Sequence, residues 1–217
     1  MAFTIHVIET QPFAENTYVL YRPGRGDALI VDPGFEPNKV MRLLDREQLA
    51  PAAILNTHGH VDHIAGNDFL KKQFPSAPII IGRGDAPMLT DAMLNLSGVF
   101  GLPIVSPPAD RLLDEGMRLE LAGFDFQILE IPGHSPGHIV FVFEDDGQSI
   151  VLGGDVLFAG SIGRTDFPGG SMGQLVGGIR NKLWPLPDDT IVYPGHGPET
   201  TIGAEKRSNP FCAGMSD

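Results

Sequence analysis

Apolar positions along the chain fall into short blocks with two different rhythms. "FTIHVIE" (3–9), "NTYVLYR" (16–22) and "ALIVDPG" (28–34) are rich in β-branched and aromatic residues and separated by turn residues, so they predict three strands. "EPNKVMRLLDREQL" changes period: Val40, Leu43 and Leu44 sit at helical spacing, with Pro37 suited to a first turn. "AAILNT" predicts another strand. "HIAGNDFLKKQF" predicts a helix, with Lys71 and Lys72 at its negative C-terminal end and Pro75 as its stop. "PIIIG" (78–82) predicts a buried strand, and "DAPMLTDAMLNL" (85–96) a helix with Asp85 as N-cap and Gly98 past its end.

The second half repeats this grammar. "FDFQILEIPG", "HIVFVFE", "SIVLGGD" and "TIVYPG" predict strands. "SMGQLVGGIRNKLW" predicts a helix with Met172, Leu175, Val176, Ile179 and Leu183 on one face, and "TIGAEKRSN" a short terminal one. Strands outnumber helices and alternate with them in each half, which predicts an α/β fold of sheets covered by helices. No linker, low-complexity tract or internal repeat interrupts the pattern, so the expectation is one domain over residues 1–217.

Composition narrows the partners. Of 217 residues, 42% are hydrophobic and 19% charged, ordinary values for a chain with a real core. The net charge of −12 is the wrong sign for neutralising phosphates, which argues against nucleic acid and anionic membranes as partners. Cys212 is the single cysteine, excluding an internal disulfide and any thiolate cluster. The N-terminal "MAFTIHVIETQPF" lacks the pattern of a secretory leader, so a reducing cytoplasm is the expected setting. Nothing in the pattern sets an oligomeric state. "GRGDAP" (82–87) follows a strand, but proline replaces the third glycine of a dinucleotide fingerprint, and no phosphate-binding P-loop is present.

Chemistry concentrates in "ILNTHGHVDHIAGN" (54–67), which holds His58, His60, Asp62 and His63. Residues two apart on an extended segment face one way, so His58 and His60 converge on one point. Asp62 and His63, on the following turn, face a neighbouring one. Imidazole and carboxylate donors suit zinc, manganese or iron, and one short loop can serve two ions. Further donors stand at similar places: His134 in "IPGHSPGH", Asp155 in "VLGGDVLF" and His196 in "VYPGHGP", each after a strand and among glycines. His138 is expected to support these residues, and His6 has no partner motif.

In this order and spacing, "THGHVDH", "PGHSPGH", "GGDVLF" and "YPGHGPET" resemble the metallo-β-lactamase superfamily, and within it the glyoxalase II-like hydroxyacylglutathione hydrolases. The resemblance runs from about residue 13 to residue 210. It implies an αββα sandwich of two mixed β-sheets flanked by helices, with the metal site along one edge of the sheets. It implies that His58, His60 and His134 hold one divalent ion, that Asp62, His63 and His196 hold the other, and that Asp155 bridges them. That bridging carboxylate is what true metallo-β-lactamases lack. Zinc is the expected metal, with iron or manganese also suited to these donors.

The implied activity is hydrolysis of a thioester such as S-lactoylglutathione. Two ions about 3.5–4 Å apart share a water and lower its pKa toward roughly 7. Asp62 is the expected catalytic residue, orienting that water and receiving its proton. The loop "GSIGRTDFPGG" (160–170) resembles the family segment that carries a cation for a glutathione carboxylate, which places Arg164 in substrate binding. Phe13, Phe158 and Phe167 are candidates for pocket walls. The longer glyoxalase II enzymes continue into a helical domain, whereas His196 lies near this chain's end, so a wider pocket for small acyl thioesters is expected. Two rivals share the motifs: a persulfide dioxygenase with one iron on His58, His134 and Asp155, suggested by "GRTDF", and a lactonase using the same metal pair.

Overall fold

The computed structural model describes residues 3–213. The first sheet takes its strands in chain order: β1 (Thr4–Thr10), β2 (Glu15–Tyr21), β3 (Asp27–Val31), β4 (Ala50–Asn56), β5 (Ile79–Gly82) and β6 (Arg111–Leu113). β1, β2 and β3 pair antiparallel, and β3 through β6 pair parallel. The second sheet contains β7 (Arg118–Leu121), β8 (Phe124–Glu130), β9 (Ile139–Asp145) and β10 (Gln148–Gly154). After a small hairpin of β11 (Leu157–Phe158) and β12 (Ser161–Ile162), it is completed by β13 (Ile191–Pro194) and β14 (Thr200–Thr201). Its order is β14-β13-β10-β9-β8-β7, with β10 and β13 parallel.

Strand periodicity sorts the side chains into three buried layers. Tyr18, Leu20, Leu29, Val31 and Leu55 face inward and meet Phe126, Ile128, Phe141 and Leu152 of the other sheet. The alternate residues Val19, Ile30, Ile54 and Ile79 face outward onto α1 (Pro37–Glu47), through Val40, Leu43 and Leu44. On the opposite side Val140, Val142, Val151 and Val192 pack on Leu175, Ile179, Leu183 and Ile202. The result is the expected helix–sheet–sheet–helix sandwich.

Two expected helices are shorter than their patterns suggested. The segment 63–74 divides into α2 (Val61–Ile64) and α3 (Asn67–Gln73), because Gly66 closes against the 33–34 turn. Its N–H donates to the Pro33 carbonyl at 2.8 Å, and a Cβ there would crowd that carbonyl and its neighbour. The helix expected over 85–96 is only α4 (Ala86–Thr90). Asp91 ends it in an extended conformation, and its carboxylate accepts the N–H groups of Met93 and Leu94. A local side-chain turn has displaced helical bonding there. Asp85 does not cap α4 with its side chain, which is committed elsewhere. The remaining helices are α5 (Met172–Gly178), continued by a π-helical turn at Ile179–Leu183, and α6 (Ile202–Ser208). Among the described residues no helix is long and apolar enough to cross a membrane.

Candidate metal centre and active site

β3 and β4 run parallel, so their C-terminal ends emerge side by side and deliver Asp32 next to the loop that starts at Thr57. Asp32 is 2% exposed and adopts φ +48°, a left-handed conformation that aspartate tolerates better than most residues. Its carboxylate accepts the Thr57 N–H at 2.7 Å and the Thr57 hydroxyl at 2.6 Å. It also lies 3.1 Å from Nδ1 of His63. One carboxylate therefore pins both ends of the loop that carries His58, His60, Asp62 and His63.

Asp85 does the same between two loops. Buried after β5, it accepts the Gly59 N–H, the Ser135 hydroxyl and the Gly137 N–H. Burial raises its pKa, opposed by these three bonds. Asp85→Ala would leave buried donors from both loops unpaired, and is expected to lower stability by about 2–4 kcal/mol. Denaturant unfolding in the presence of chelator measures this apart from any metal; an unchanged midpoint would refute the bracing role.

Around this frame the structure brings together all seven candidate ligands. Nδ1 of His60 and Nε2 of His134 are 2.8 Å apart, and His58, His60 and His134 can turn one donor atom each to within 4.8 Å of one another. Asp62, His63 and His196 form a second such group, with His196 Nε2 3.3 Å from Asp62 Oδ2. Asp155 stands between them. Its Oδ2 lies 3.4 Å from His134 Nε2 and 3.6 Å from His196 Nε2, while Oδ1 lies 3.4 Å from His63 Nε2. The approach requires glycine at 195, where a Cβ would collide with Asp155 Oδ1 and the His63 ring.

For His58, His134 and His196 the far side of the ring shows what the near side is for, whereas His60 turns its Nδ1 into the centre, toward His134. Nδ1 of His58 meets the Thr57 hydroxyl at 3.1 Å, and that of His134 meets the Arg164 carbonyl at 2.9 Å. His196 Nδ1 lies 3.2 Å from the Phe13 and Ala14 carbonyls. Such acceptors hold the proton on Nδ1 and leave a lone pair on Nε2, directed into the centre. Nε2 of His58, Nε2 of His63 and Oδ1 of Asp155 are buried with no hydrogen-bond partner. Buried polar atoms without partners are costly, and a cation among them supplies what they lack. The donor set thus fits divalent metal ions and can accommodate two.

Protonation follows from burial and neighbours. Burial, then the adjacent imidazoles, push His58 well below the usual histidine value, and His60 falls to about 3 for the same reasons, so both stay neutral. Burial opposes charge on Asp155, but His63 and the other nearby imidazoles outweigh it and hold the carboxyl far below its ordinary value. Burial also opposes charge on His63, where Asp155 and Asp62 win and raise its pKa. Positive charge is favoured at this point of the cluster.

His138 lies behind the centre. Its Nε2 accepts the Asp155 N–H at 3.0 Å and its ring stacks on His58 with centroids 4.7 Å apart. His6 is remote, stacked on Tyr21. The centre opens into a pocket of about 360 Å³ whose lining includes Phe13, Phe158 and Phe167 as well as Arg164. The Arg164 guanidinium sits at the rim, bonded at 2.7 Å to each carboxylate oxygen of Asp166 and 4.0 Å above the Phe167 ring. Two residues that build the site, Asp32 and the bracing Asp85, have no role there that the sequence pattern suggests. The available signal for Asp32 is an acidic residue ending the apolar run "ALIV" beside a Pro-Gly turn.

Comparison with known proteins agrees with this geometry. The family model described as the metallo-beta-lactamase superfamily matches residues 10–196, from β1 to the last candidate ligand. The hydroxyacylglutathione hydrolase GloC of Haemophilus influenzae is 40% identical over 214 residues, covering 98% of this chain and 99% of that protein. The crystal structure of BLEG-1 B3 metallo-beta-lactamase superposes with a TM-score of 0.91 at 42% identity, covering 97% of this chain and all of the other. That of TTHA1623 in a di-iron-bound form gives 0.82 at 39% identity, covering 95% and 99%. The protein described here belongs to the metallo-beta-lactamase superfamily of metallo-hydrolases.

Proposed function

We propose that this chain is a metal-dependent hydrolase of acyl thioesters, with S-lactoylglutathione the substrate to assay first. His58, His60 and His134 would hold one ion, Asp62, His63 and His196 a second, and Asp155 both. Zinc is the proposed metal; the di-iron form of TTHA1623 makes iron the next to load. The observation that carries the reading is the set of unpartnered atoms on His58, His63 and Asp155, buried beside the candidate ligands His60, Asp62, His134, Asp155 and His196 that line an accessible pocket. The likeness to GloC over both full lengths supports the thioester class.

Bound divalent ions would lower the pKa of a water and stabilise charge developing on an acyl oxygen. The chain's own residues do the rest. Asp62 projects a carboxylate at the pocket floor, where burial opposes its charge but His63 and His196 keep its pKa below the ordinary value. It orients the attacking water and takes its proton. The water oxygen bonds to the acyl carbon, the carbon–sulfur bond breaks, and the thiolate leaves with the electron pair. A thiolate needs no strong proton donor, which suits a site whose acids are ionised.

Arg164 is the proposed contact for a carboxylate on the thiol carrier, in competition with Asp166. Arg164→Ala is expected to raise KM for a glutathione thioester about two- to fivefold, the range for an exposed ion pair. Asp166→Asn should shift KM the opposite way by freeing the guanidinium. Steady-state kinetics of both variants test the assignment, and equal KM values in all three proteins would remove it.

The deciding experiment is thiol release from S-lactoylglutathione by metal-reconstituted protein, with and without chelator. Chelator-sensitive release is expected. No release from protein shown by emission spectroscopy to hold two ions per chain would overturn this substrate, and oxygen uptake with glutathione persulfide would replace hydrolysis by dioxygenation. The likeness to BLEG-1 favours one second reading, β-lactam hydrolysis. It differs in needing a proton for the departing nitrogen, and a cephalosporin run beside the thioester separates the two.

A further inference from the structure

Hydrocarbon begins directly at the candidate ligands. The Phe167 ring stands edge-to-face with His60, centroids 5.5 Å apart, and Phe158 does the same with His196 at 6.2 Å. Leu96 and Ile162 continue the wall, and Phe13 and Phe100 form the mouth. Those last two rings are 40% and 58% exposed and lie 6.3 Å apart. Apolar surface kept in water at the mouth of a cleft marks a place where a ligand covers it.

The polar groups of the same pocket are already engaged. Asn95 is fully buried, its amide donating to the Ile104 carbonyl and accepting the Ser97 N–H. Among the described lining residues Arg164 is the one cation, and Asp166 occupies its fork. The remaining polar side chains, His60, Asp62, His134, Asp155 and His196, are the candidate ligands themselves. A hydroxyl on the acyl group would therefore find no side chain built to bond it. A site without such a partner gains nothing from the hydroxyl, whereas every methylene laid on these rings leaves water.

Resting on the thioester reading above, we infer that this site selects substrates by an apolar acyl group, a hydrocarbon chain or aryl ring, rather than by a hydroxyacyl group. The acyl chain lies between Phe158 and Phe167 and runs past Leu96 toward Phe13 and Phe100. The thiol carrier lies toward the rim near Arg164.

The test uses metal-reconstituted full-length protein and thioesters on one uncharged carrier, N-acetylcysteamine: acetyl, propanoyl, butanoyl, hexanoyl, phenylacetyl and lactoyl. From acetyl to hexanoyl, kcat/KM should rise about fourfold per buried methylene. Phenylacetyl should stand near hexanoyl, and lactoyl no higher than propanoyl, its counterpart lacking the hydroxyl. Phe100→Ser, at a position exposed to solvent, should flatten the rise. A flat series, or lactoyl tenfold above propanoyl, overturns the inference. Calorimetric binding of the uncleavable S-propyl, S-butyl and S-hexyl thioethers separates pocket from reaction. Tightening with length in the absence of any thioester hydrolysis would keep the apolar subsite and remove the hydrolase reading. Hydrolysis without length dependence in either series would do the reverse.

Discussion

Asp155→Ala is expected to purify with at most one metal ion per chain where the parent protein carries two, and to cleave thioesters at least about 10²–10³-fold more slowly. The reason is its position. Asp155 leaves the end of β10 with one carboxylate oxygen toward His134 and His196 and the other toward His63, so both donor groups depend on one side chain. Its removal also leaves a volume between the imidazoles of His63, His134 and His196. Methyl in place of carboxylate cannot neutralise a second cation, and two cations held close without an intervening anion repel strongly at low dielectric. Metal content by emission spectroscopy, after reconstitution and desalting, decides the matter independently of any substrate. Retention of two ions by the variant would show that Asp155 is not shared. Asp155→Asn refines the result: a neutral oxygen donor of the same shape should recover part of the metal but little of the rate.

The motif around His58 is legible in the sequence because extended chain has a period of two, so H-x-H states a direction as well as a composition. The same holds for the three layers of the sandwich, since alternation in "NTYVLYR" and "ALIVDPG" separates inner Leu20 and Leu29 from outer Val19 and Ile30. Asp85 and Asp91 are not legible in this way. Each looks like a helix signal, and in the fold each carboxylate binds backbone outside the helix it was expected to cap or continue. The strands β6, β7, β11, β12 and β14 escape the pattern for a related reason. They have two to four residues each, too few to show a period, and exist because a neighbouring strand offers them partners. Asp32 is hidden by context: at the end of an apolar run before Pro33-Gly34, an aspartate looks like ordinary turn chemistry. Only the parallel pairing of β3 with β4 places it under the histidine loop. Local patterns thus carry the elements and the ligands, while the residues that aim those ligands depend on pairings distant in sequence.

Asp32 therefore gives the sharpest test of how the centre is held. Asp32→Ala is expected to lower metal affinity about 10- to 100-fold, as removal of a group orienting a ligating histidine does. It should also destabilise the chelated protein by about 2–4 kcal/mol. Two separate losses are involved. The N–H and hydroxyl of Thr57, which is 1% exposed, would face no acceptor in a region closed to water. His63 would lose the partner of Nδ1, so its ring could rotate and its proton could move to Nε2, the nitrogen needed for a metal. Asp32→Asn should fall between, because its amide oxygen can still accept from Thr57 while its NH₂ opposes a remaining donor. Competitive metal titration against a chromophoric chelator reads the first loss, and urea unfolding in excess chelator reads the second. A fall in stability with unchanged affinity would make Asp32 a brace for Thr57 alone. A fall in affinity that persists after the stability difference is restored by glycerol would establish that this carboxylate aims His63.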